Sequence, residues 1–318
     1  MQQIRHLKPA GKAIFKDRYT KKANELLIPW PESRKAPYAL VGLPLSKSSI
    51  SHSGASFAPG VIRAALASYT TYSGEFDKDL VENIIDFGDL YMDPTAISRN
   101  QEWLYEGMLD IYHTEAAQNW FLLGGDHSIS YASIRAFAEQ RGKVGIIQFD
   151  AHHDLRNVDD GGPTNGTPFR RLLEEQVIDG SNLVQIGIRD FMNAKAYHTY
   201  ADEHGVQLYS MADIETRTIH AILQEEIERL SKRVDSIYLS VDMDVLDQAF
   251  APGCPAIGPG GMDSRTLVDA IFIAAQTDKV QAMDIVEIDP TIDFRNMTSK
   301  VAAYLLLTYM KGMKCRNG

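Results

Sequence analysis

The chain has 318 residues, 44% of them hydrophobic, and a formal net charge of −10. That is enough apolar material for a sizeable core, in one large domain or two smaller ones. The acidic balance argues against nucleic-acid or anionic-membrane partners, and an acidic small molecule would have to be met by locally placed cations.

In chain order, residues 1–34 are rich in Lys and Arg and predict an arm packed on a single catalytic domain spanning 35–318. From there, short β-branched runs alternate with longer stretches of helical periodicity. Strands are expected at 38–43, 83–87, 120–123, 144–149, 183–188, 206–209, 236–241 and 281–285. Helices are expected at 59–67, 101–118, 129–140, 169–175, 194–204, 214–232 and 264–276, and a helix over 298–313 closes the chain. This rhythm predicts an α/β fold with a mostly parallel sheet covered by helices on both faces. No low-complexity linker and no repeat divides it. Cys254 and Cys315 stand far apart in no metal or redox spacing, which predicts free thiols and a cytoplasmic protein. The N-terminal stretch is interrupted by Arg5, His6, Lys8 and Lys12 and shows no secretory signal, and the apolar stretch from Val301 to Met310 is too short to span a bilayer.

Three short clusters carry the chemistry. They are Gly-Gly-Asp-His-Ser at 124–128, Asp-Ala-His-His-Asp at 150–154 and Ser-Val-Asp-Met-Asp at 240–244. Each follows an apolar run that reads as a buried strand, and ligands of open α/β sheets bind beyond the carboxyl ends of strands. Side chains two apart in extended backbone point the same way. Asp150, His152 and Asp154 can therefore converge, as can Asp242 and Asp244, with His127 added from a third strand end. A lone Asp after a strand is usually a helix cap or a turn residue. Four of them in one crevice would be severely unfavourable without a counter-charge. Carboxylates and imidazoles with no thiolate suit a pair of hard or borderline divalent cations. Two cations imply an activated water and hence a hydrolase. Gly-rich stretches at 159–166 and 252–261 follow two of the clusters and predict active-site loops; neither matches a phosphate-binding loop.

The three clusters together resemble the ureohydrolase family, which comprises arginase, agmatinase, guanidinobutyrase and formimidoylglutamase. The likeness runs from about Gly42 to the C-terminus. It implies an arginase-type three-layer α/β/α sandwich with eight parallel strands, and two Mn²⁺ per subunit. By that resemblance one cation takes His127, Asp150, Asp154 and Asp242. The other takes Asp150, His152, Asp242 and Asp244, so that Asp150 and Asp242 bridge. Water held between them is the nucleophile, and Asp154 is placed to accept its proton. Glu287, in Asp284-Ile285-Val286-Glu287-Ile288-Asp289-Pro290, matches the family carboxylate that pairs with a cationic guanidino or amidino head.

Within the family, residues 44–56, 150–156, 161–171 and 252–258 look most like the bacterial formimidoylglutamases. Where arginase and agmatinase carry a proton-transferring His, this chain has Asn165, and an amide cannot shuttle protons. Arg156 lies where arginase-type members have an Asn at the amino-acid end of the substrate, and Arg binds carboxylates bidentately. A salt bridge to Asp159 or Asp160 is its structural alternative. Arg170, Lys47, Arg171, Arg189 and Arg295 are further cationic candidates. The resemblance therefore implies hydrolysis of an acidic amidine, N-formimino-L-glutamate, to L-glutamate and formamide in histidine catabolism, by a homo-oligomer. A guanidino hydrolase such as agmatinase or guanidinobutyrase is the alternative. Single-zinc deacetylases of related fold lack the His152 and Asp244 pattern, and a silent metal-binding scaffold would not need every ligand together with Glu287.

Overall fold

The computed structural model describes residues 17–30, 35–51, 53–93 and 95–316. Nine strands form one sheet, and every pairing in it is parallel. They are β1 (Leu27–Pro29), β2 (Tyr38–Leu43), β3 (Ile84–Asp89), β4 (Asn119–Gly124), β5 (Val144–Phe149), β6 (Leu183–Ile188), β7 (Gln207–Ser210), β8 (Ser236–Asp242) and β9 (Val280–Val286). Across the sheet they run β1-β3-β2-β4-β9-β8-β5-β6-β7. The strands β2, β4, β5, β6 and β8 are buried at every residue. That is why they read as continuous apolar runs rather than as alternating patterns.

Nine α-helices flank the sheet among the described residues: α1 (Ala58–Ala65), α2 (Ile97–His113), α3 (Ile129–Arg141), α4 (Pro168–Glu174), α5 (Lys195–Glu203), α6 (Met211–Arg217), α7 (Ile219–Ser231), α8 (Ser264–Ala274) and α9 (Met297–Arg316). Two separate apolar cores result. Ile147, Phe149, Leu239 and Ile285 face α1, α7, α8 and α9, whereas Val144, Ile146, Tyr238 and Ala282 face α2, α3, α4 and α5. The alternation of Cβ atoms along each strand divides its side chains between the two. The architecture is the expected three-layer α/β/α sandwich. No described helix is long and apolar enough to cross a membrane.

Two details differ from expectation. The sheet has nine strands and not eight, because Leu27–Pro29 pairs with β3 at the edge (Leu27 opposite Ile84). Three residues ending in proline carry too little pattern to be read as a strand. They belong to the expected arm 1–34, which is described only over 17–30, where Ala23 and Leu26 join the core. The helix expected over 214–232 is two helices, broken at Thr218 with φ of 64°. The Thr218 hydroxyl accepts the Ala221 N–H at 3.3 Å, so a capping residue interrupts a continuous periodicity. The other strands and helices fall within a few residues of their expected positions.

Candidate metal centre

The three clusters meet at the carboxyl ends of four adjacent strands, β4, β9, β8 and β5. Gly125 turns the chain out of β4 where nothing larger fits, since a Cβ there would stand 2.0 Å from the Leu45 carbonyl oxygen. Its own carbonyl accepts the Glu287 N–H at 3.0 Å, and the His127 N–H returns to Glu287 Oε1 at 2.8 Å. The ends of β4 and β9 are thus stitched together, with His127 and Glu287 side by side. Asp154 and Glu287 both adopt left-handed backbone, with φ of 52° and 59°. Such geometry costs a non-glycine residue of order 1–3 kcal/mol and concentrates at functional sites.

Two groups of ligand atoms form there. His127, Asp150, Asp154 and Asp242 make one, and Asp150, His152 and Asp244 the other, with the atoms of each group within 4.8 Å of one another. The Nδ1 of His127 stands 2.8 Å from Asp154 Oδ2 and 3.2 Å from an oxygen of both Asp150 and Asp242. His152 Nδ1 lies 3.0 Å from Asp244 Oδ2 and 3.5 Å from Asp150 Oδ1. Of the two residues expected to bridge, Asp150 belongs to both groups and Asp242 to the first.

The donor set fits a pair of cations. Fully buried His127 Nδ1 makes no hydrogen bond of acceptable geometry despite three carboxylate oxygens around it, as in a coordination shell. Without a cation the four carboxylates crowd one another. Burial and then the charges of Asp244 and Asp150 push Asp242 well up. Burial and Asp150 raise Asp154 to about 6. At Asp150 burial works upward, but the imidazoles of His127 and His152 beside it outweigh burial and the net shift is downward. Burial opposes charge on the imidazoles, yet Asp154 and its neighbours carry His127 well above its usual value, and Asp244 with Asp150 takes His152 to about 12. Divalent cations would remove this conflict.

Above the cluster opens a cavity of about 130 Å³, with His152, Asp154, Asp242, Asp244 and Glu287 in its wall. Glu287 is buried; burial, and then Asp126 beside it, raise its carboxyl to about 8. Asn165 Nδ2 donates to Glu287 Oε1 at 3.0 Å, while Asn165 Oδ1 accepts the Ile50 N–H at 3.0 Å. Arg156 also lines the cavity and is exposed, its guanidinium 5.8 Å from the Tyr197 ring centroid. Among the described residues it has no ion pair, and Asp160 is engaged by Asn157 instead. Gly166 makes room for its stem, since a Cβ there would lie 2.7 Å from Arg156 Cδ.

Other candidates lie elsewhere. Arg170 and Lys47 do not line the cavity. The first turn of α4 aims Arg170 at α5, where it stacks 3.6 Å from the Tyr200 ring centroid while bonding Glu174 one turn on in α4, and Lys47 is exposed on its loop. Arg171 lies over Tyr131, and Arg295 is exposed away from the cavity. Arg189 is buried, donating to the carbonyls of Asp244, Val245, Leu246 and Gly258, so it holds the β8 loop. Both Gly-rich stretches contribute wall residues, through Asn165, Gly166 and Ala256. Met192, Asn193 and Tyr197 are wall residues that no motif announced.

These carboxyl shifts have a consequence for stability. A carboxyl whose folded pKa lies above its unfolded value contributes stability at low pH that is lost as pH rises. For Asp154 the window runs from 3.8 to about 6, and for Glu287 from 4.5 to about 8. The melting temperature of protein stripped of divalent cations should therefore fall between pH 6 and pH 8. Glu287→Gln should remove the share of that slope due to Glu287, while His152, held up to about 12, keeps its own. Differential scanning calorimetry of both proteins checks this, and equal slopes would contradict it.

The Arginase family model matches residues 36–311. A formimidoylglutamase of Halalkalibacterium halodurans is 56% identical over 306 residues, 95% of each chain. A formimidoylglutamase of Bacillus subtilis is 47% identical over 316 residues, 99% of this chain and 98% of its own. The crystal structure of the Bacillus subtilis formimidoylglutamase superposes with a TM-score of 0.94 over 97% of this chain and 96% of that one. A proclavaminate amidinohydrolase of Streptomyces clavuligerus is 30% identical over 88% of this chain and 90% of its own. By fold, by ligand pattern and by the span of the match, this chain belongs to the arginase family.

Proposed function

We propose that the protein is a formimidoylglutamase, hydrolysing N-formimino-L-glutamate to L-glutamate and formamide as a step of histidine catabolism. The observation that carries this reading is the polarity of the cavity: a buried carboxylate, Glu287, on one side and on another the Arg156 guanidinium, which has no ion pair among the described residues. A substrate with a cationic amidine head and an acidic tail matches that pair. Near-full-length likeness to two formimidoylglutamases supports it.

His127, Asp150, Asp154 and Asp242 would hold one cation, and Asp150, His152 and Asp244, with Asp242 as a second bridge, the other. Oxygen and imidazole donors suit two Mn²⁺. When bound, such a pair supplies Lewis acidity and lowers the pKa of water to near neutrality. The chain's own residues do the rest. Glu287 takes the amidinium in a charge-assisted hydrogen bond, and the pairing keeps its carboxyl ionised despite burial. Asn165 fixes Glu287 Oε1 by a neutral donor and shuttles no proton itself. The Asp154 carboxylate accepts a proton from the attacking water and returns it to the departing glutamate amine. Arg156 holds carboxylate at the mouth of the cavity.

The deciding assay offers Mn²⁺-reconstituted protein formiminoglutamate, agmatine, arginine and guanidinobutyrate side by side. Formamide and glutamate from the first, with little urea from the others, is expected. Preferential urea release would move the reading to a guanidino hydrolase such as agmatinase or guanidinobutyrase. Arg156→Ala should raise KM about tenfold or more and leave metal content intact; an unchanged KM defeats the assignment. We also infer a cytoplasmic homo-oligomer, with the arm 1–34 ahead of one catalytic domain, 35–318. Free Cys254 and Cys315 suit a reducing compartment, and exposed Phe191 and Phe294 suit a subunit contact.

A further inference from the structure

Beneath the ligands lies a row of buried polar side chains. Asp284 of β9, Ser240 of β8, Gln148 of β5 and Gln185 of β6 sit opposite one another in register across four adjacent strands. All are fully buried on the face that meets α3 and α4. Ser240 and Gln148 precede the ligands Asp242 and Asp150 by two residues, so they point to the same side of the sheet. Polar groups in such a place are costly, and their partners show what they do.

Asp284 collects four donors: Ser130 Oγ at 2.7 Å, Ser240 Oγ at 2.9 Å, Tyr238 OH at 3.0 Å and the Val241 N–H at 3.2 Å. Such a carboxylate only accepts. The single proton of the Ser240 hydroxyl therefore goes to Asp284, and its oxygen can only accept from the next group along. That group is His127 Nε2, 2.9 Å away. The neutral imidazole, the form that binds a cation, must then carry its proton on Nε2 and leave the Nδ1 lone pair facing Asp150, Asp154 and Asp242. On the other half of the row, Gln185 Nε2 donates to Gln148 Oε1 at 2.6 Å, and Gln148 Nε2 donates to Asp150 Oδ2 at 2.6 Å.

We propose that Asp284, acting through Ser240, is a positioning residue for His127, setting the tautomer and ring orientation that make its Nδ1 a cation ligand. Ligating imidazoles commonly donate their other N–H to a carboxylate, carbonyl or water, and such partners tune affinity. Here a serine stands between imidazole and carboxylate. The inference rests on the two-cation reading of the centre.

Equilibrium dialysis and calorimetry with Mn²⁺ on stripped protein test it. Wild type should take up two equivalents. Ser240→Ala and Asp284→Asn should each weaken one equivalent about 10- to 100-fold. The double variant should bind no more weakly than the weaker single variant, because both changes cut one chain of hydrogen bonds. A merely structural role would lower the melting temperature of stripped protein and leave both affinities alone. Ser240→Ala removes only a hydroxyl and carries the test by itself if Asp284→Asn fails to fold. Two equivalents bound to it as tightly as to wild type overturn the inference. Wild-type protein that binds no divalent cation sinks the two-cation reading, and this inference with it.

Discussion

Asp150→Asn should cost both cations and almost all activity, lowering kcat/KM by on the order of 10³-fold or more. The magnitude follows from the several kcal/mol that cations contribute to hydrolytic transition states, at about 1.4 kcal/mol per tenfold. Asp150 is the residue shared by the two ligand groups, and both its oxygens are committed. Oδ1 accepts the His152 N–H at 2.7 Å, and Oδ2 accepts Gln148 Nε2 at 2.6 Å. Each oxygen thus has one lone pair engaged by the protein and one left for a cation. Asparagine has the same size but replaces one acceptor with a donor, which must then face another N–H. Metal analysis beside steady-state kinetics checks the outcome. A variant that keeps two cations and activity within about tenfold would remove Asp150 from its central place.

Glu287→Gln should separate binding from metal loading. It should retain both cations while kcat/KM drops by about 10²- to 10³-fold, since leaving one member of a buried charged pair without its partner costs about 2–5 kcal/mol. Glu287 lies outside both ligand groups. Its Oε1 is fixed by the His127 N–H and by Asn165, so the change removes charge more than position. The loss should be confined to substrates with a cationic amidine or guanidine head. If the variant instead loses a cation, Glu287 supports the metal centre and does not read the substrate.

The parts of this site that repeat a local rule were legible in the sequence. Asp150, His152 and Asp154 stand out by their alternation just past a strand, although the backbone bends at 151–152 and turns left-handed at Asp154, a turn that spacing alone does not describe. The strands were legible because double-sided burial demands unbroken apolar runs. The cations were less so. Arg156, Arg170 and Arg189 look alike in the sequence, yet one lines the cavity, one stacks on Tyr200 and one disappears beneath the β8 loop. Long flexible side chains take their direction from tertiary neighbours, and spacing says nothing about those. Tyr197 was hidden for the same reason: its approach depends on how α5 leaves the β6 end. The polar row could have been found. Ser240 and Gln148 each break an apolar run two residues before a ligand, and that interruption is their signal.

The row also bears on how the sheet assembles. A parallel sheet makes only long-range pairings, and its central strands, apolar on both faces, offer weak discrimination between neighbouring registers. A slip of one residue in β8 would turn Ser240 toward the apolar layer of α7, α8 and α9 and swing Asp242 away from its partners. The same slip in β9 would bury the Asp284 charge among alanines and leucines, with none of its four donors. Misaligned strands are thereby penalised by unsatisfied polar groups before any ligand arrives. Side chains that aim the metal ligands also serve as a ruler for threading the strands.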